Sequence, residues 1–146
     1  MLGATGCVHE LLAHKGTIVV TVDASASVYD AVVNMNLRHI GSLLVIDDDT
    51  IIGILTERDV LVRVVGADRD PHETRVRDVM TPDLIVIDPK VTVGEAMVVV
   101  TSRRCRHLPV FDRGRLCGIV SAGDLSAWLV REQTLVINEL HDYIVR

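Results

Sequence analysis

The apolar and polar positions of this chain follow one pattern that occurs twice. A short apolar run, Ile18–Val22 in the first copy and Leu84–Ile87 in the second, has the length and β-branching of a buried strand. A stretch with apolar residues three and four positions apart follows, which is typical of a helix. Two more apolar runs then flank a polar turn, and a second helix begins near Glu57 and near Ala122. The pattern predicts strand, helix, strand, strand, helix, written twice.

Local signals fix where these elements begin and turn. Ser27-x-x-Asp30 and Thr92-x-x-Glu95 resemble capping boxes, in which the hydroxyl and the acid satisfy free amides of the first helical turn. Short polar segments separate the middle runs and predict hairpin turns. These segments are Asp47–Thr50 and Asp112–Arg115.

The two copies align without a gap at an offset of 65 residues, with Val20–Val65 on Ile85–Val130. Twelve of the 46 aligned pairs are identical, and many of the others exchange one apolar residue for another. Two copies are too few for a solenoid, so the repeat indicates a duplicated unit. We expect an α+β fold in which two pseudo-symmetric halves pack through their sheets and can hold ligands in the clefts between them.

The repeat also sets the expected domain boundaries. We assign residues 15–66 to the first repeat and 76–131 to the second, with flanking helical segments at 1–14 and 132–146. The polar link Gly66–Arg75 is predicted to be an exposed connector.

Composition narrows the class of protein. The chain has 146 residues, 49% of them apolar and only 3% aromatic, which predicts an aliphatic core. A net charge of -5 argues against nucleic acid or an anionic membrane as the main partner. No secretory signal is visible at the start, and the three cysteines have no metal-like spacing. We expect a cytoplasmic protein with reduced thiols and no metal site.

With this order established, the chain resembles a pair of cystathionine-β-synthase (CBS) domains over about residues 15 to 131. Two segments match the family's Gly-h-h-Thr/Ser-x-x-Asp ending (h, apolar) at identical places in the repeat. They are Gly53–Asp59 and Gly118–Asp124. In addition, Val79–Thr81 resembles the start of a second CBS repeat, and Arg106–Val110 its middle strand. The lone pair, with short flanking helices, is similar to small stand-alone CBS proteins of bacteria.

The motif residues have both a structural and a functional interpretation. Thr56 with Asp59, and Ser121 with Asp124, are sufficiently explained as helix caps. The same glycine-led turn also offers amides and a hydroxyl to an anion. The resemblance implies a further role for Asp59 and Asp124, in which the carboxylate accepts both hydrogens of a ribose diol.

The resemblance implies further nucleotide contacts. Phosphates are expected near Arg106 and His107, whose first-repeat counterparts are uncharged, and near Arg58 and Lys15. These side chains are equally well explained as ordinary solvated surface charges. An adenine base is expected against two pairs of residues near the first strands. These pairs are Thr21 with Val22 and Thr81 with Pro82.

Three functions remain open at this point. The leading hypothesis is a non-catalytic regulatory sensor that binds AMP, ADP, ATP or NAD and transmits occupancy to a protein effector. The alternatives are a dimerisation or interaction module without a ligand, and a binder of S-adenosyl compounds. An enzyme is disfavoured, since no nucleophile–base pair or Walker-type loop is visible, and no cofactor is required. Apolar helix faces predict a homodimer of two CBS pairs.

Overall fold

The elements of the computed structural model follow the predicted order closely. The structure describes residues 6–145, apart from the side chains of residue 136 and residues 142–145. In chain order the elements are α1 (Val8–Lys15), β1 (Thr21–Asp23), α2 (Val28–Arg38), β2 (Ser42–Asp47), β3 (Thr50–Thr56), α3 (Glu57–Val60), a π-helical segment (Leu61–Val65), α4 (Val76–Val79), α5 (Val93–Arg103), β4 (His107–Asp112), β5 (Arg115–Ser121) and α6 (Ala122–Val145). The α+β class is confirmed.

The chain divides into two compact units that do not follow the linear order of the repeats. The first-repeat unit is Val19–Leu84, and the second-repeat unit joins Met1–Ile18 to Ile85–Arg146. Helix α1 therefore packs with the second repeat, although it precedes the first in sequence. Helix α4 packs with the first repeat, although it lies beyond the link.

Backbone hydrogen bonds show that α1 and α4 are equivalent parts of the two units. Val8 donates to the Val91 carbonyl at 2.8 Å, and Val76 donates to the Ala26 carbonyl at 2.9 Å. Val91 and Ala26 are 65 positions apart and thus occupy the same place in the repeat. Residues 6–16 therefore correspond to residues 74–84, and each unit contains one such helix.

Both predicted hairpins are present and share their irregularity. The pair β2–β3 shifts register between Val45 and Ile46, and β4–β5 shifts at the equivalent place, between Val110 and Phe111. Such a bulge bends a strand and increases its twist. The turns use left-handed backbone at positions that include Asp49.

The first strand of each repeat is shorter than the apolar pattern predicts. In the first-repeat unit only Thr21–Asp23 pairs, parallel to β2, giving the sheet order β1-β2-β3. In the second-repeat unit the corresponding residues form a single bridge, Ile87 with Val110, beside the two-stranded β4–β5 sheet. The prediction of a buried strand over Ile18–Val22 is wrong at its start, since Ile18 is 89% exposed.

Helix caps form where the sequence places them. The Thr92–Glu95 capping box is complete. Ser27 accepts a hydrogen bond from the Asp30 amide, but the Asp30 carboxylate does not accept one from the Ser27 amide in return. The sequence predicts two helices at the end of the chain, the second helix of the second repeat and a separate flanking one. In the structure they are a single helix, α6, which runs without a break for 24 residues.

Each unit has its own aliphatic core, as the composition predicts. Leu43, Val45 and Leu55 lie in the core of the first-repeat unit, and Leu108, Val110 and Leu125 in that of the second. The link Gly66–Arg75 is exposed as expected, apart from a half-buried Pro71 and the buried Thr74, whose hydroxyl donates to the Asp70 carbonyl at 2.7 Å. Within residues 6–145, no helix combines the length and hydrophobicity needed to span a membrane.

Candidate ligand-binding sites

The first motif fixes a carboxylate in the opening turn of α3. Thr56 is the N-cap, and its hydroxyl accepts from the Asp59 amide at 3.2 Å, while Asp59 Oδ2 accepts from the Thr56 amide at 3.0 Å. This reciprocal pair is a capping box, which satisfies two amides that a helix start would leave free. Asp59 is only 7% exposed, so its orientation is closely defined.

Thr81 completes the environment of Asp59. Its hydroxyl donates to Asp59 Oδ1 at 3.0 Å, and its backbone pairs with Ile54 on β3 through two hydrogen bonds. The backbone approach is close because position 53 is glycine. A Cβ atom on Gly53 would lie 2.7 Å from the Thr81 carbonyl oxygen. The glycine of the motif is thus needed for the contact that positions Thr81 at the carboxylate.

The second motif repeats the cap with a different partner. Asp124 Oδ2 accepts from the Ser121 amide at 2.8 Å, and the Ser121 hydroxyl accepts from the Asp124 amide at 3.1 Å. The same Oδ2 also accepts from Lys15 Nζ at 2.5 Å, and Lys15 donates to the Ile119 carbonyl at 2.8 Å as well. Lys15 therefore lies at the second motif, although in sequence it precedes the first strand.

The two motif carboxylates differ in exposure and charge environment. The Asp124 side chain is 27% exposed. Burial by itself raises the pKa of Asp124, but hydrogen bonds from Lys15 and Ser121 and the positive charge of Lys15 outweigh it and leave that pKa below its ordinary value. Asp124 is therefore ionised at neutral pH and can only accept hydrogen bonds.

The basic residues predicted around the second motif lie near it. His107 begins β4 directly opposite Ser121 in the antiparallel pairing, and the Arg106 carbonyl accepts from the Ala122 amide at 2.7 Å. The Arg106 side chain is exposed, and His107 is half-buried. In the first-repeat unit, Arg58 is exposed on α3 beside Asp59.

The residues predicted to hold adenine do not converge within one unit. Thr21 and Val22 lie on β1, with β2 between them and β3, so about 10 Å separates them from β3. Thr81 bonds to the opposite edge of β3, and Pro82 follows it as an exposed residue. The two pairs thus mark opposite edges of the same sheet, and their role at an adenine base stays a prediction.

The structure also shows a pocket that the sequence interpretation missed. In the second-repeat unit, a cavity of about 160 Å³ lies between α1 and α6. Its lining residues are Leu11, His14, Lys15, Asp124, Ala127, Trp128 and Arg131. The signal available in the sequence was the helical spacing of Asp124, Trp128 and Arg131, which places them on one face of α6. Among the described residues, no cluster of three His, Cys, Asp or Glu side chains suits a metal ion.

Two capped carboxylates on a duplicated α+β unit define a tandem CBS protein, and the family comparison agrees. The CBS domain model matches residues 16–66 and 76–131, which together are most of the chain. The chain belongs to the CBS-domain family.

Named relatives and solved structures are CBS-domain proteins as well. The chain is 36% identical over 123 residues to the mitochondrial CBS domain-containing protein CBSX3 of Arabidopsis thaliana, covering 81% of this chain and 60% of the relative. A putative signal-transduction protein with CBS domains from Burkholderia ambifaria superposes with a TM-score of 0.83 at 39% identity, covering 87% of this chain and 96% of that structure. A hexameric CBS-CP12 protein from bloom-forming cyanobacteria superposes with a TM-score of 0.75 at 30% identity, covering 84% and 67%. The chain thus spans about three fifths of the length of the Arabidopsis relative.

Proposed function

We propose that this protein is a non-catalytic regulatory module that binds an adenine nucleotide at its helix-capping motifs and signals occupancy to a protein partner. One observation carries the proposal: Asp59 and Asp124 are held in the same capping geometry, 65 positions apart, in the two units. A fixed carboxylate has about four lone-pair sites and can accept two hydrogen bonds from adjacent hydroxyls. A ribose diol offers this pair of donors.

The nature of the surrounding residues supports adenine nucleotides over other diols. Basic groups flank both motif carboxylates, with Arg58 beside Asp59 and with Lys15, Arg106 and His107 around Asp124. These cations suit phosphate, which a plain sugar lacks. An apolar wall and backbone groups would then hold the base, since only four aromatic residues occur in the chain.

Isothermal titration calorimetry tests the proposal directly. AMP, ADP, ATP, NAD and S-adenosylmethionine are titrated into the ligand-free full chain, and we expect micromolar binding of at least one nucleotide. Asp59→Asn and Asp124→Asn should each weaken or remove one site, and the double variant should remove all binding. Two exposed aspartates provide matched controls: Asp49→Asn in the first hairpin turn and Asp112→Asn at the end of β4 should both bind like the parent.

The titration also separates the rival functions. Binding of S-adenosylmethionine alone would replace nucleotide sensing by recognition of an S-adenosyl compound. Absence of heat with every ligand, on protein shown to be folded, would overturn nucleotide binding and favour an interaction module. Steady conversion of a bound nucleotide, lost in the double variant, would contradict the non-catalytic assignment.

We propose in addition that two copies of the chain associate. Three large aliphatic side chains on the π-helical segment support this, since Leu61, Val62 and Val65 are 65%, 56% and 67% exposed in the single chain. Val64 of the same segment and Leu125 of α6 are instead buried in the cores and cannot contribute to such a surface. Sedimentation should give a dimer or higher oligomer, and Leu61→Asp should shift it to monomer. A monomer at micromolar concentration in the parent would contradict the association.

A further inference from the structure

The pocket between α1 and α6 brings more positive than negative charge to one place. Lys15 and Arg131 both line it, against Asp124 as the one acidic residue among its lining side chains. Arg131 Nη1 contacts the ring nitrogens of His14 at 3.0 and 3.2 Å. Among the hydrogen bonds of the described residues, those of Arg131 use Nη1 alone, so a guanidinium with five donors has capacity for an anion.

The equivalent place in the first-repeat unit has the opposite character. The correspondence of residues 6–16 with 74–84 puts Asp83 at the position of Lys15, and the 65-residue repeat puts Gly66 at the position of Arg131. Arg63 stands where the second unit has Trp128, and its guanidinium is already bonded to the Val79 and Met80 carbonyls at 3.2 and 2.9 Å. The cationic pocket is therefore a property of the second-repeat unit.

The side chains of the pocket are held in place before any ligand arrives. Trp128 donates its indole N–H to Glu132 at 2.6 Å, and the same Glu132 oxygen accepts from the Gly6 amide at 2.9 Å. The Arg131 guanidinium lies 5.6 Å from the centre of the Trp128 ring, within the range of a cation–π contact. A preorganised cation loses less entropy on binding than a free one.

The size of the cavity limits what it can take. At about 160 Å³ it is similar to an engineered cavity of about 150 Å³ that admits one benzene molecule. This volume suits phosphate groups, and the rest of a nucleotide would extend outside it. Asp124 and Arg131 lie seven residues apart on α6, two turns or about 10 Å along the helix, on the scale of a ribose with its phosphate chain.

We propose that this pocket binds the phosphates of a nucleotide whose ribose is held by Asp124, with Lys15 and Arg131 as the phosphate ligands. The inference rests on the proposed function and makes the second site selective for polyphosphate nucleotides. Asp124 Oδ2 already accepts two hydrogen bonds, so a diol that engages both carboxylate oxygens displaces Lys15 from it. The released ammonium then pairs with phosphate.

Trp128 offers a local readout, because it is the only tryptophan of the chain and it lines the pocket. ATP, AMP, adenosine and tripolyphosphate are titrated into the full chain while Trp128 fluorescence and its indole NMR signal are followed. We expect ATP to bind more tightly than AMP and adenosine. Lys15→Met and Arg131→Gln should each weaken the binding of ATP by about 10- to 100-fold, the scale of a hydrogen bond between charged groups. The affinity for adenosine should change by less than about threefold, since adenosine carries no charge for these cations.

Matched controls remove one charge of the same kind elsewhere in the unit. Lys90→Met changes an exposed turn. Arg115→Gln changes the first residue of β5, at the other end of that strand from Ser121. Both should bind ATP like the parent, and circular dichroism checks that every variant is folded.

The possible outcomes separate this inference from the proposed function. If the parent binds ATP but Lys15→Met and Arg131→Gln bind it equally well, the phosphate pocket is wrong and nucleotide sensing survives. Unchanged Trp128 signals during ATP binding detected by calorimetry would have the same meaning. If no adenine compound binds the folded parent by either method, both ideas are overturned. Weakening of tripolyphosphate in parallel with ATP would support the assignment of these two cations to phosphate.

Discussion

Asp59 and Asp124 occupy the same place in the two repeats but differ in what surrounds the carboxylate. Each forms a capping box with a hydroxyl residue three positions earlier. Asp59 is almost completely buried, and its second oxygen accepts from the neutral hydroxyl of Thr81. The Asp124 side chain is more exposed, and it forms an ion pair with the ammonium of Lys15. The backbone geometry of the site is duplicated, whereas its electrostatic environment is not.

The difference originates in the helices that complete each unit. Thr81 follows α4 and Lys15 ends α1, and these helices occupy corresponding places. The caps themselves depend only on local residues. A side-chain change on the completing helix can therefore alter the charge at the carboxylate without disturbing the cap. This arrangement allows two sites of common origin to differ in ligand preference.

The largest expected contrast concerns the glycine of each motif. In Gly53→Ala the new Cβ would lie 2.7 Å from the Thr81 carbonyl oxygen, on backbone that two hydrogen bonds fix to β3. In Gly118→Ala it would instead meet the Leu12 Cδ2 atom at 2.8 Å, the end of a flexible side chain. We expect Gly53→Ala to lower the free energy of unfolding by about 3 kcal/mol and Gly118→Ala by about 1 kcal/mol.

Urea unfolding of both variants measures this contrast. The exposed Gly123, where a Cβ meets only the Ser121 hydroxyl at 3.6 Å, provides a control, and Gly123→Ala should be neutral or slightly stabilising. If both variants lost the same free energy of unfolding, the segment that carries Thr81 and the helix that carries Leu12 would be held with similar rigidity.

A smaller contrast is expected on removing the carboxylates. Asp59→Ala leaves the Thr56 amide and the Thr81 hydroxyl without their acceptor in a buried place, which should cost about 2 kcal/mol. In Asp124→Ala the partners left without an acceptor are closer to water, so the free energy of unfolding should fall by about 1 kcal/mol or less.

Thermal or urea unfolding of the ligand-free variants provides the measurement, and the partner variant Thr81→Val tests its origin. Thr81→Val should recover part of the Asp59→Ala loss, and the double variant should be less destabilised than the sum of the two. Strict additivity would mean that the hydrogen bond between Thr81 and Asp59 does not contribute to stability.

Local sequence signals predicted much of this fold. The hairpins, the caps at Ser27 and Thr92, and the starts of α3 and α6 depend on residues a few positions apart, which a single sequence reveals. The short first strands could not be predicted, because apolar content does not tell whether a run finds a pairing partner. The continuity of α6 did leave a signal, since no proline or glycine follows Gly123.

For the sites, too, the sequence predicted only the part that depends on neighbouring residues. The capping motifs identified Asp59 and Asp124 as fixed carboxylates. The partners were not predictable, because Thr81 lies 22 positions from Asp59 and Lys15 lies 109 positions from Asp124. Which completing helix joins which repeat is decided by packing across the chain and not by spacing along it.

The smallest expected effect concerns Lys15 and pH. The pKa of Asp124 is lowered in the folded protein, so its contribution to stability is present above the pKa of the unfolded chain, near 4, and is lost as pH falls through the folded pKa. Lys15→Met removes the hydrogen bond and the positive charge while burial remains, and the pKa of Asp124 should therefore rise. The ion pair is partly exposed, so the loss of stability at pH 7 should be below about 1 kcal/mol.

Two measurements resolve an effect of this size. A carboxyl-carbon NMR titration of Asp124 should show a higher pKa in Lys15→Met than in the parent, with Lys90→Met, the only other lysine substitution the chain offers, as the control. Urea unfolding should show the stability gap between parent and Lys15→Met at pH 7, and the gap should close as pH falls below about 4. A gap that stays constant down to pH 2 would mean that Lys15 stabilises the second unit through its aliphatic stem and the Ile119 carbonyl. In that case the charge difference between the two repeats would matter for ligand binding alone.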